Sequence, residues 1–152
     1  MKRIVFLAAV AAAFPAQAEM IERTGTFGGL DVTYRVVLPD GYDPAMQYPV
    51  SLHLVGGGHT MEIVDSSTRT DWQALAEERG MIVVSPASPN GDLFFRSADA
   101  IFPDFLDFLL AEYRPEGGRL HITGHSNGGI SAFHVASLYP DYFVSVTGYP
   151  GL

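Results

Sequence analysis

Cysteine is absent from the chain, which excludes disulfides, thiolate metal sites and a lipidated cysteine behind any leader. Basic residues are scarce: nine Lys and Arg stand against seventeen Asp and Glu, a formal net charge of −8. Such a surface is a poor match for a phosphate backbone, so nucleic acid is not an expected partner. Internal repeats, low-complexity segments and linker-like stretches are also missing. With 152 residues and 47% hydrophobic content, the chain therefore reads as one globular domain with a core of its own. No group of His, Asp and Glu shows metal-ligand spacing, and neither metal nor cofactor is expected.

Long apolar runs are lacking too, and the one at the N-terminus is short. Ile4 to Phe14 is eleven residues, against the roughly 20 that a membrane span needs. Lys2 and Arg3 precede this run and Ala16-Gln17-Ala18 follows it. A charged start, a short apolar core and a small-x-small end are the signature of a secretory signal peptide over residues 1–18. Cleavage there removes two bases and no acid, so the mature chain, 19–152, goes from −8 to −10. The expectation is a protein exported to the periplasm or medium and not membrane-bound after cleavage.

What remains alternates between strand and helix patterns. "GTFGGLDVTYRVVLP" reads as two strands around Gly28-Gly29, with Val32, Tyr34, Val36 and Leu38 on one face. "YPVSLHLV" and "MIVVSPA" are short apolar runs of the kind buried on both faces of a parallel sheet. Between them "TDWQALAEERG" predicts a helix with Thr70 or Asp71 as N-cap and Gly80 at its end. "DAIFPDFLDFLLAEYR" predicts another, capped by Asp99, with Phe105, Phe108 and Leu109 as its apolar stripe. "RLHIT", "NGGISAFHVASLYP" and "YFVSVTGYP" then read as strand, helix and strand. The expected fold is α/β, a mostly parallel sheet with helices on both faces behind an N-terminal antiparallel hairpin.

Gly124-His125-Ser126-Asn127-Gly128 carries the chemistry. Glycines two before and two after a serine allow a sharp strand-to-helix turn that lifts the hydroxyl off the sheet. The helix N-terminus then points at that serine, so the Asn127 amide can donate to a developing oxyanion. The structural alternative is that Ser126 only caps the helix. "VGGGH", Val55 to His59, ends the first buried strand, where open α/β sheets place their sites. Its glycines let backbone amides approach a ligand and supply the second oxyanion donor.

Together, "RVVLPDGYDP", "YPVSLHLVGGG", "WQALAEERGMIVVSPAS" and "ITGHSNGG" resemble the α/β-hydrolase superfamily. Within it they resemble the secreted esterases related to polyhydroxybutyrate depolymerases and feruloyl esterases. The resemblance covers about Thr24 to Gly151. It implies Ser126 as nucleophile, Asn127 and Gly57 as the two oxyanion donors, and a small-molecule or polymeric ester as substrate. Where those esterases usually have His-Gly, this chain has Val55-Gly56, so Gly58 stands beside Gly57 as the second donor.

A serine hydroxyl needs a histidine to take its proton and an acid to orient that histidine. In this fold the order is Ser, acid, His, whereas after Ser126 the chain offers His134 and then Asp141. His134 lies eight residues into the expected helix, about 12 Å along its axis and beyond the roughly 3 Å that a base requires. His125 is expected to turn away from the hydroxyl, and His53 and His121 to serve structural roles in strands. His59 is the one upstream histidine placed near the pocket mouth. The resemblance implies that the chain stops after the strand following the nucleophile helix, before the acid and the base. Three readings follow: a serine hydrolase of carboxylic esters working through an acyl-serine, a non-catalytic remnant or binding module, and a serine peptidase of the same fold.

Overall fold

A computed structural model describes residues 18–150; the expected leader therefore lies outside the described residues, apart from Ala18. Six strands form one sheet in the order β1-β2-β4-β3-β5-β6. Strands β1 (Glu19–Phe27) and β2 (Leu30–Leu38) make an antiparallel hairpin in which Phe27 faces Leu30. Gly28 and Gly29 turn it at φ 56° and 75°, values that cost glycine little. β2 pairs antiparallel with β4 (Ile82–Pro86), and from there β4, β3 (Val50–Leu54), β5 (Leu120–His125) and β6 (Phe143–Tyr149) run parallel.

Each parallel step needs a crossover, and helices supply them. Helix α3 (Phe102–Tyr113) and α4 (Asn127–Leu138) lie on one face. There Phe102, Phe105 and Leu109 of α3 and Val135 of α4 join Leu52, Leu54, Ile82, Val84, Leu120 and Ile122 of the strands in the main core. These strand residues occupy alternate positions, as the two-residue period of a strand demands. The expected stripe of α3 is present, with Phe105 and Leu109 fully buried and Phe108 packed on the core's margin.

The other face is covered by α1 (Met61–Ser67), a π-helical turn (Thr68–Trp72) and α2 (Gln73–Arg79). Trp72 and Ala76 pack there on Val37 and Val83, with Ala18 beside them. Val37 is thus buried although the alternation in β2 placed it outward, because a second layer of helix covers the hairpin's far side. Toward β6 the same face is polar, carrying Ser51, His53, His121, Thr123, Ser145 and Thr147.

Two boundaries depart from expectation. The helix read from Thr70 begins nine residues earlier, at Met61, with the Thr60 hydroxyl accepting from the Ile63 amide at 3.4 Å. Gly80 ends α2 in the left-handed conformation, as its position after Arg79 suggested. Asp99 caps nothing: a 3₁₀ turn over Ser97–Ile101 precedes α3, and Asp99 is turned instead toward α4. Pro103 in the first turn does the starting.

Candidate active site

Ser126 stands between β5 and α4 with φ 54° and ψ −121°. A β-carbon in that region costs of order 1–3 kcal/mol and persists only where the surroundings hold it. They do so here. The Ser126 amide donates to Tyr149 O at 3.2 Å, and its carbonyl accepts from the Ile130 amide at 3.1 Å, so β6 and α4 pin the residue from both sides. The flanking glycines are obligatory for the same turn. A β-carbon on Gly124 would sit 2.0 Å from Gly128 O, and one on Gly128 would sit 1.9 Å from Leu54 O and 2.5 Å from Val55 O. Strand, turn and helix are in backbone contact, and no side chain fits between them.

Although Ser126 occupies the N-cap position of α4, its hydroxyl makes no capping bond. The capping alternative therefore fails on geometry. Ser126 is exposed and lines a cleft of about 670 Å³ together with Gly56, Gly57 and His125. The glycine loop approaches the elbow closely: a β-carbon on Gly56 would lie 3.1 Å from His125 O and 3.5 Å from Ser126 Cβ. Asn127 ties the two together, its side-chain amide donating to Gly57 O at 3.0 Å. Gly57 itself has φ 63°, which suits glycine. Ser126, Asn127 and Gly57, separated by seventy residues in sequence, are thus joined in one site.

The far wall of this cleft comes from Thr60 and the α1–π segment, including Ser67 and Asp71. It was hidden in the sequence because Ser66, Ser67, Thr68 and Thr70 interrupt the apolar period. The available signal was Thr60 as a cap, followed by Met61, Val64 and Thr68 at helical spacing.

None of the five histidines is hydrogen-bonded to Ser126 among the described residues. His134 bonds Asp99, Nε2 to Oδ2 at 2.9 Å, on the helix where it was expected and away from the cleft. Asp141 is exposed in a 3₁₀ turn, Pro140–Tyr142. His121 bonds Ser145 at 2.7 Å in the strands. His125 shares the cleft wall with Ser126 but sets its ring against Tyr149, centroids 5.7 Å apart, and makes no hydrogen bond to the Ser126 hydroxyl among the described residues.

His59 is corrected more sharply. It lies not at the pocket mouth but fully buried, its ring 4.7 Å from that of Phe94, with neither ring nitrogen hydrogen-bonded among the described residues. Burial lowers its pKa to about 4. His53 is lowered to about 4 as well, first by burial and then by the nearby His125. A histidine held neutral inside the fold titrates normally when unfolded, so acid favours the unfolded chain between its ordinary pKa of 6.5 and about 4. From pH 7 to pH 5 each is expected to remove about 2 kcal/mol of stability. Urea unfolding at the two pH values measures the sum, and His53→Gln should cut the difference by about half.

No family model matches the sequence. Acetylxylan esterase A of Aspergillus ficuum is 25% identical over 97 residues, spanning 56% of this chain and 32% of that protein. The feruloyl esterase module from Clostridium thermocellum, complexed with sinapinate, superposes with a TM-score of 0.67 at 20% identity, covering 84% of this chain and 52% of that one. An α/β-hydrolase enzyme from the metagenome of Lake Arreo gives 0.59 at 21% identity, over 81% of this chain and 39% of that one. The chain therefore spans about a third to a half of the length of these proteins. The sheet order, the serine elbow and these superpositions agree: the chain has the α/β-hydrolase fold.

Proposed function

We propose that this chain carries the nucleophile and oxyanion elements of a secreted serine hydrolase of carboxylic esters that works through an acyl-serine. The observation that carries the reading is the backbone of Ser126: a strained φ of 54°, an uncapped hydroxyl and an open cleft above it. A helix-capping serine has no need of that conformation. The acyl carbonyl would enter between the elbow and the glycine loop. The first amides of α4 have no partner within the helix, and the Asn127 amide is the one next to the serine. Gly57, anchored through its carbonyl to the Asn127 side chain, is the second donor, with Gly58 adjacent. Attack by Ser126 Oγ would place negative charge on the carbonyl oxygen, where such amides stabilise it by about 3–4 kcal/mol per donor. The ester preference draws support from the acetylxylan and feruloyl esterases that the chain resembles.

A fluorophosphonate probe tests the nucleophile, since it phosphonylates an activated serine. Labelling is expected at Ser126 alone, slowly in the absence of a paired histidine, and should vanish in Ser126→Ala. Equal labelling of the alanine variant would reject the assignment. Export is a separate expectation, resting on the leader pattern of residues 1–18. N-terminal sequencing of protein recovered outside the cytoplasm should begin at Glu19, and an uncleaved membrane-retained species would contradict it.

A further inference from the structure

Behind the cleft wall a line of side chains runs from the sheet to the cleft. Thr123 Oγ1 lies 3.2 Å from His53 Nδ1, His53 Nε2 lies 3.1 Å from Ser67 Oγ, and Ser67 Oγ donates to Asp71 Oδ2 at 2.9 Å. Only one assignment of protons satisfies every member. Because the hydroxyl proton of Ser67 goes to the carboxylate, His53 must donate to Ser67 from Nε2 and accept from Thr123 at Nδ1. His53 is 1% exposed, and Trp72 packs on its ring with centroids 4.8 Å apart, so the ring cannot turn. Thr123 sits three residues before Ser126 on β5. The line thus ties the nucleophile's strand to a carboxylate in the opposite wall.

The helix is shaped to place that carboxylate. Over Thr68–Trp72 it widens into a π turn, in which the Gln73 amide reaches Thr68 O, five residues back. The widening leaves the buried Thr68 hydroxyl and the Trp72 indole nitrogen without partners among the described residues. Such turns interrupt α-helices frequently at functional sites. Asp71 and Ser67 both line the cleft, as does Glu62, and no Lys or Arg does. Asp71 Oδ1 has no hydrogen-bond donor among the described residues.

We infer that Ser67 and His53 are positioning residues that hold Asp71 as a fixed acceptor for a hydrogen-bond donor on the substrate, a hydroxyl or an ammonium close to the ester. The inference rests on the reading of the cleft as an ester site. It concerns selection of substrate rather than the bond-breaking step, because nothing in the line reaches Ser126 Oγ.

Binding separates the two. In the full chain carrying Ser126→Ala, three probes are titrated by NMR at pH 6: n-butyl butyrate, glyceryl 1-butyrate and 2-aminoethyl butyrate. At least one of the donor-bearing esters should bind about tenfold tighter than the butyl ester, the ratio expected of a hydrogen bond to a charged group. Which one does so identifies the donor. Ser67→Ala and the surface variant Asp71→Asn should abolish the preference, bringing the tighter ester down to the level of the butyl ester, while Ser67→Thr should keep it. Nitrogen-15 spectra should show His53 neutral with its proton on Nε2, and Ser67→Ala should shift that signal within an otherwise unchanged spectrum. Equal binding of all three esters, a preference that survives Asp71→Asn, or a proton on Nδ1 would overturn the inference and leave the ester site standing. Failure of every ester to bind would remove both.

Discussion

The 152-residue polypeptide is expected to hydrolyse an aryl ester several orders of magnitude more slowly than a hydrolase with a complete triad. Ser126 has its elbow and its cleft, but among the described residues no histidine is hydrogen-bonded to it. His134 is engaged by Asp99, His59 is sealed against Phe94 and His53 is locked between Thr123 and Ser67. Without a base the hydroxyl attacks as a poor nucleophile. On the proposed reading the oxyanion donors and substrate binding remain, which by themselves give about 10³ to 10⁴-fold over water. Initial rates on a nitrophenyl ester for the chain and for Ser126→Ala check this, and the two should differ little. Fast turnover that Ser126→Ala abolishes would show that a base is present. His125, the one histidine in the cleft wall, would be the first to replace.

Gly128→Ala is expected to be the most damaging single substitution on the fold. Its methyl group would lie 1.9 Å from Leu54 O and 2.5 Å from Val55 O, both backbone atoms of the strand end beneath the elbow. A flexible side chain can swing aside, whereas here either α4 or the glycine loop must move. Overpacking costs about 1–3 kcal/mol where side chains can adjust and more where backbone is the obstacle. A loss of about 4 kcal/mol or more is expected, with failure to accumulate as soluble protein as the extreme. Gly80→Ala is the control. Unlike Gly128, which is helical, it has a positive φ, 57°, and nothing lies within 4 Å of the added carbon. Its cost should be about 1 kcal/mol, read by the same urea titration. A loss at Gly128 no larger than that at Gly80 would mean that the close approach of backbone is not what makes Gly128 necessary.

Local chemistry announced most of the elements. The turn at Gly28-Gly29, the stop at Gly80 and the apolar period of Phe105 and Leu109 each act over a few residues, so a short window contains their cause. The elbow was legible for the same reason at Gly124, where a β-carbon would meet Gly128 of the same strand-turn-helix, whereas Gly128 is held small by Leu54 O and Val55 O of a distant strand end. Misreadings came where a distant partner competes with a local role. Asp99 looked like a cap and is a partner of His134, thirty-five residues away. His59 looked like a residue of the pocket mouth, yet the loop turns it inward at φ 54° onto Phe94. Thr60 to Thr70 falls outside the helix read from Thr70 because hydroxyl side chains weaken a helical pattern. They form a helix because Val64 is buried against Val55 and Ala87.

The α/β alternation, the hairpin, the serine turn and the glycine loop are readable in the order of residues, since each is set mainly by backbone preference and apolar period within one segment. What those segments do to one another came from the assembly of the whole chain. It brought Gly57 under Asn127, lined the opposite wall with Ser67 and Asp71, and separated His59 and His134 from Ser126. Those outcomes depend on strand order and on which face of the sheet each helix covers. Such choices are settled by the burial of the whole core at once, and no single stretch of residues contains them.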